Sequence, residues 1–317
     1  MARLPVGVIG VGALGRHHAR HLALSEEADL IGVHDIDEAR GREVASQVGT
    51  TYYADLDGLL GRVEAVTVAV PTPVHAEVGL QALDRGKSVL MEKPLAASLV
   101  DADRLIRAAE RNGVALQVGH IERFNRAIRA ARPYLGDIRY FESTRLAPFQ
   151  PRGTDVAVIL DLMIHDLDLV LHLSRGAAAT DVRASGVAVL TPHVDVANAR
   201  VEFQGGAVAN ITASRVARER IRRLRLFQSN GYFSLDLGAG TGVFMRLRGD
   251  HHLGAAASLE EVVEVVPLDA PEQDALGAEL QSFVRSVRGE PDPVVTGLEG
   301  RAALALALRV GEAVAAA

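Results

Sequence analysis

Cysteine is absent from the 317 residues, which excludes disulfide scaffolds, thiol nucleophiles and cysteine-ligated zinc or iron–sulfur sites. Lysine is scarce too: of 34 cationic side chains only Lys87 and Lys93 are lysines. Arginine keeps its proton in proteins, whereas lysine can release one, so a lysine retained in an arginine-rich chain is a candidate for proton chemistry. No apolar run approaches the roughly 18–20 residues that span a bilayer. No block of like charge occurs, and a net charge of -6 argues against general nucleic-acid binding, which needs a basic face. Arg3 precedes an apolar stretch, but Pro5 and the glycines at 7, 10, 12 and 15 fit a strand and turn better than a signal peptide. What is left is a globular cytoplasmic chain, 48% hydrophobic, whose partners are small molecules rather than nucleic acid or membrane.

The first third alternates short β-branched runs with helical patterns, which predicts βαβ units and a parallel sheet. Strands are expected at 6–9, 30–34, 63–70, 88–91 and 114–118. Helices are expected at 14–24, 38–47, 75–85 and from an N-cap at Ser98 to Arg111. After about residue 122 the character changes. Helices at 126–134 and 158–173 flank a strand at 138–144 and a loop containing Pro148, Pro151 and Gly153. Strand-like runs then follow at 180–190, 194–203, 207–216, 221–228, 231–237, 242–248 and 261–267, with helices at 272–288 and 297–315 closing the chain. This predicts a large, mostly antiparallel sheet, and domains at 1–122 and 123–317.

GVGALG, residues 10–15, follows the first strand and opens a helix. Gly10 permits the tight turn, Gly12 lets the backbone approach a pyrophosphate, and Gly15 allows close helix–strand packing. With Ala13 and Leu14 these residues form a dinucleotide loop of Rossmann type, whose helix N-terminus faces the phosphates. Asp35, 20 residues beyond Gly15, stands where a carboxylate accepts the adenosine ribose hydroxyls. A carboxylate there, followed by Ile36, favours NAD over NADP; Arg40, one helical turn on, softens that preference.

MEKP ends the fourth predicted strand at the sheet's carboxyl edge, where open α/β sheets bind ligands. Lys93 there is expected to exchange a proton with a substrate hydroxyl, the plain alternative being a surface lysine. On the helix at 158–173, Asp161 and His165 are four apart and share a face, opposite a stripe of Leu160, Ile164, Leu167 and Leu171. His165 suits a general base and Asp161 its orienting partner. Taken alone, the pair equally suits a helix N-terminal charge and a core histidine. Asp168 and His172 extend the stripe, which would suit an Asp/His metal site, but none is expected.

Together the runs GVIGVGALG, VAVPTPVH, MEKPLA, DLMIHDLD and ELQSFVRSVRGEPDPVVTGLEGRAAL resemble the Gfo/Idh/MocA oxidoreductases along nearly the whole chain. The resemblance implies a Rossmann domain followed by an α+β domain with an open sheet that binds substrate and forms a homodimer or homotetramer. It implies that Lys93, Asp161 and His165 are catalytic and touch substrate. Val70, Pro71, Thr72 and His75 would lie beside the nicotinamide ribose, with Glu92 as a further cofactor contact. VGHIERFN, residues 118–125, with the run around His165, is similar to a branch that oxidises the 3-hydroxyl of UDP-N-acetylglucosamine. Arg126 stands where that branch usually has proline. Asn125 and the arginines at 123, 145 and 152 are then expected to meet a sugar diphosphate. The alternatives are oxidation of a free cyclitol or aldose, a redox-neutral cycle on retained NAD, and a non-enzymatic NAD sensor.

Overall fold

The computed structural model describes residues 2–150, 156–248, 258–292 and 294–316. Two compact units divide the chain: Met1–Ile121 with Asp274–Leu304, and Glu122–Gln273 with Ala305–Ala317. No helix among the described residues is long and apolar enough to cross a membrane.

In the first unit the chain runs β1 (Leu4–Ile9), α1 (Gly15–Ala23), β2 (Ala28–His34), α2 (Glu38–Val48), β3 (Thr51–Tyr52) and α3 (Leu56–Leu60). It continues through β4 (Ala65–Val68), α4 (His75–Leu83), β5 (Ser88–Glu92), α5 (Leu99–Asn112) and β6 (Leu116–Gly119). The strands pair in parallel in the order β3-β2-β1-β4-β5-β6. Strand order therefore reverses between β1 and β4, and the carboxyl ends of those strands open a ligand crevice. β4 is buried along its length because helices cover both faces of the sheet, which explains why only Thr67 interrupts its apolar residues. Local chemistry sets the helix ends. Asp37, Asp55 and Ser98 accept backbone N–H groups at their N-caps, and Gly49 and Gly113 end α2 and α5 in the left-handed conformation. The β3–α3 step was not expected from the sequence; two residues of strand and five of helix are too short to show a period.

The segment 274–304 belongs to this unit, although it follows residue 122. Leu280, Phe283 and Val284 join the core of Val6, Val8, Ala19, Leu22 and Val33, and Val118 donates its N–H to the Val295 carbonyl. The expected extent 123–317 is corrected accordingly.

The second unit starts with α6 (Arg126–Ala131), a single 3₁₀ turn at 132–134, and β7 (Ile138–Leu146). Residues 159–163 form a π-helical turn that leads into α7 (Ile164–Leu173). Then come β8 (Ala179–Val187), β9 (Val196–Phe203), β10 (Val208–Ser214), β11 (Ile221–Gln228), β12 (Gly231–Asp236) and β13 (Thr241–Leu247). The single turn α8 (Leu259–Val262) and β14 (Val263–Leu268) follow; of the last two helices, α9 (Ala275–Val287) belongs to the first unit and α10 (Gly297–Ala315) begins in it. The eight strands lie in the order β14-β13-β12-β11-β7-β10-β9-β8, all antiparallel except β7 with β10. One face buries Phe141, Leu226, Phe233 and Phe244 under α6 and α7. The other carries Tyr140, Phe227 and Tyr232 as a partly exposed aromatic row, with centroids 5.5 and 5.3 Å apart.

Candidate functional site

The glycine loop has the shape a pyrophosphate needs. Gly10 adopts φ 81°, and a Cβ there would meet Val70 Cγ1 at 2.8 Å. A Cβ on Gly15 would fall on the Gly10 carbonyl oxygen, so the third position admits only glycine. At Gly12 a Cβ would meet nothing within 4 Å, which leaves open space over the backbone for a ligand. Leu14 caps α1 without a side-chain hydrogen bond, and no acidic residue occupies the first turn. An uncapped N-terminus with no local carboxylate suits an anion.

At the end of β2, Asp35 is 4% exposed and accepts from Val11 N (2.8 Å), Asp37 N (2.9 Å) and the Arg40 guanidinium (2.7 and 3.1 Å). Burial raises its pKa, but the Arg40 and backbone donors outweigh that and hold the carboxyl below its ordinary value. Ile36 beside it is 96% exposed.

At the carboxyl end of β5, Glu92 bonds His18 of α1 (3.0 Å) and takes the Lys93 N–H (3.2 Å). Burial raises the Glu92 pKa; His18 and Lys93 together outweigh it and lower it. The β5–β6 register sets Glu92 opposite Gly119, where a Cβ would meet Glu92 Oε2 at 3.2 Å. Lys93 is half-buried, and its bond to Pro94 is cis. His75 is 1% exposed, with Nδ1 2.9 Å from the Pro94 carbonyl and Nε2 2.9 Å from the Val70 carbonyl. It thus ties the β5 loop to the β4 loop, with both ring nitrogens on backbone carbonyls. Burial is the main cause of its lowered pKa. Of the same loop, Pro71 is exposed and Val70 and Thr72 are half-exposed.

In the second unit Asp161 lies within the π turn and His165 in the first turn of α7. A regular helix was expected across 158–173. The π turn, with its extra residue per turn, is a local feature that recurs at functional sites. Asp161 and His165 are both half-exposed, while Met163, Ile164, Asp166 and Leu167 around them are buried. Leu160 and Leu171, expected in the buried stripe, are also half-exposed.

Residues 4–120 match the oxidoreductase family with an NAD-binding Rossmann fold, and residues 127–234 match the GFO/IDH/MocA C-terminal domain. The chain belongs to the Gfo/Idh/MocA oxidoreductase family. It is an NAD-dependent oxidoreductase. UDP-N-acetylglucosamine 3-dehydrogenase of Acidithiobacillus ferrooxidans is 40% identical over 317 residues, covering 100% of this chain and 99% of that protein. A solved structure of that enzyme, with the same coverage, has a TM-score of 0.92. Myo-inositol 2-dehydrogenase of Thermotoga maritima is 29% identical over 95% of this chain and 93% of its own.

Within this family member the expected phosphate ligands have other employment. Arg123 is buried and forks onto Asp168 at 2.8 and 2.6 Å, with His172 Nδ1 3.3 Å from its NH1. Arg145 is buried between Asp166 (2.6 Å) and Glu122 (2.8 Å), and the two carboxylates push its pKa up despite burial. Ser143 donates to Asp166 as well (2.8 Å). Asn125 caps α6 through the Ala127 N–H and donates to Glu122 and the Leu237 carbonyl. These three side chains, expected at the substrate, are each engaged within the fold. Asp166 follows His165 directly and Asp168 lies further along the same helix, so the two buried arginines hold the helix that carries it. Arg126, in place of the branch's proline, donates to the Ala270 carbonyl (2.7 Å) and Asp269 (2.8 Å). Arg152 lies outside the described residues. His18 was missed, although a polar residue on the buried stripe of Gly15, Ala19 and Leu22 was a legible signal.

Proposed function

We propose that this enzyme oxidises the 3-hydroxyl of UDP-N-acetylglucosamine to the 3-ketone. The full-length 40% identity to the Acidithiobacillus enzyme carries the reading. When bound, NAD supplies the hydride acceptor. Imidazole holds and releases a proton near neutrality, so His165 takes the hydroxyl proton and Asp161 orients it from the preceding turn. Lys93, at the carboxyl edge of β5, supplies an ammonium that steadies the negative charge developing on the oxygen. Gly10, Gly12, Ala13, Leu14 and Gly15 hold the pyrophosphate, Asp35 and Ile36 the adenosine, and Val70, Pro71 and Thr72 the nicotinamide ribose. The 29% relative supports oxidation of a free cyclitol as the second reading. The enzyme works in the cytoplasm as a homo-oligomer, and the row of Tyr140, Phe227 and Tyr232 gives its open sheet a partner-facing surface. Substrate deuterated at C3 tests the chemistry. Deuterium in the reduced nicotinamide is the expected result; reduced nicotinamide without label removes the 3-hydroxyl assignment.

A further inference from the structure

The helix-covered face of the eight-stranded sheet carries one guanidinium for which the fold provides no acceptor. Side chains alternate along a strand, so Arg222 stands on the same face of β11 as the buried Leu224 and Leu226. The β11–β7 register sets it beside Arg145. Arg145 is fully employed: Nε and NH2 reach Asp166 (2.6 and 3.2 Å), and NH1 reaches Glu122 Oε1 (2.8 Å). The other Glu122 oxygen takes the Asn125 amide at 2.9 Å. For Arg222 there remains Glu122 Oε1 at 3.6 Å, too far for a hydrogen bond. Among the described residues none accepts an N–H from its side chain.

The surroundings of Arg222 lack an anion. Burial lowers its pKa, and Arg145 and Arg220 add to that against the pull of Glu122 and Asp166. Three guanidiniums thus meet two carboxylates, and other donors already hold both carboxylates. Arg218 and Glu219, exposed just before Arg220, add one charge of each sign. A half-buried guanidinium with unused N–H groups suits an anion that accepts from it at two points, as phosphate oxygens do. Its place in the fold says which phosphate. Arg222 is one strand spacing, about 5 Å, from Arg145, whose partner Asp166 directly follows His165 on α7. In a nucleotide sugar the diphosphate leaves C1, two ring atoms from the reacting C3.

We propose that Arg222, with Arg220 beside it, grips the diphosphate of the nucleotide sugar and so selects that substrate over a free sugar. The proposal rests on the nucleotide-sugar reading of the enzyme, and binding by the native protein checks that reading separately.

Titration calorimetry would give dissociation constants for UDP-N-acetylglucosamine, UDP and NADH with the native protein, Arg222→Ala, Arg222→Lys and Arg62→Ala. Arg62, exposed just before β4 in the first unit, controls for general loss of positive charge. Arg222→Ala should weaken UDP and the nucleotide sugar on the order of 10- to 100-fold, as expected for losing a charge-assisted contact. KM for the nucleotide sugar should rise by more than kcat falls. NADH affinity and melting temperature should hold, since Arg222 makes no hydrogen bond within the described fold. Arg222→Lys should keep part of the UDP affinity, and Arg62→Ala all of it. Added salt should weaken UDP binding more steeply in the native protein than in Arg222→Ala. Native-like UDP affinity in Arg222→Ala overturns the proposal. So does a lowered melting temperature with an equal loss of NADH, which would make Arg222 a support of the fold. Native protein that binds neither UDP nor the nucleotide sugar removes the nucleotide-sugar reading, and the proposal with it.

Discussion

Replacing Arg123 by alanine tests whether the buried arginines serve the fold or the substrate. The Arg123 and Asp168 side chains are 6% and 1% exposed, and two bonds of 2.8 and 2.6 Å join them. Alanine leaves the Asp168 carboxylate buried without its bidentate partner. Breaking a buried pair from one side costs about 3–5 kcal/mol, far more than the roughly 0–1 kcal/mol of an exposed pair. In a domain of this size 1 kcal/mol moves the melting temperature by about 2–4 °C, so a fall of roughly 6–20 °C is expected. Differential scanning calorimetry would record it. The pair Arg123→Met with Asp168→Leu should recover most of the loss, because no charge is then left unpaired. A variant Arg123→Ala with unchanged melting temperature and a raised KM for the nucleotide sugar would refute the reasoning and return Arg123 to the substrate.

Three further outcomes follow from the geometry. Gly15→Ala should abolish measurable NAD binding in calorimetry, since its Cβ would collide with the Gly10 carbonyl; retained affinity would show that the loop can move aside. The folded-state pKa of Glu92 lies below its ordinary 4.5, so the stability it contributes is present above pH 4.5 and is lost as the pH falls through the folded value. Glu92→Gln should therefore flatten the acid side of the melting-temperature profile, and an unchanged profile would mean that the His18 contact carries no weight. Phe227→Arg, on the partly exposed sheet face, should shift sedimentation toward the monomer, and an unaltered sedimentation coefficient would rule that face out as the contact.

Much of the first unit was legible because β1, β4, β5 and β6 are mainly apolar runs closed by glycine or proline, and α2 and α5 carry side-chain caps at their N-termini and glycine at their ends. The dinucleotide loop was legible for the same reason: Gly10, Gly12 and Gly15 state a backbone requirement that depends on nothing distant. What sequence could not show was partnership. Arg123 meets Asp168 45 residues away and Arg145 meets Asp166 21 residues away, so phosphate ligands and buried anchors look alike along the chain. The helix α9 has an amphipathic pattern, but no pattern says which core an apolar stripe enters; Phe283 enters the first. The π turn under Asp161 escaped because five residues are too few to reveal a changed period. The two backbone carbonyls that His75 bridges were not legible, since such a contact leaves no spacing to read.

The central claim is oxidation of a nucleotide sugar in which Lys93, Asp161 and His165 are each required. The direct measurement is nicotinamide reduction, followed by absorbance, with UDP-N-acetylglucosamine, UDP-glucose, myo-inositol and free glucose in parallel, using native enzyme, Lys93→Met and His165→Ala. The account predicts turnover with UDP-N-acetylglucosamine by the native enzyme, and losses of orders of magnitude in both variants with NAD binding intact. Turnover confined to a free polyol, or near-native rates in either variant, would contradict it.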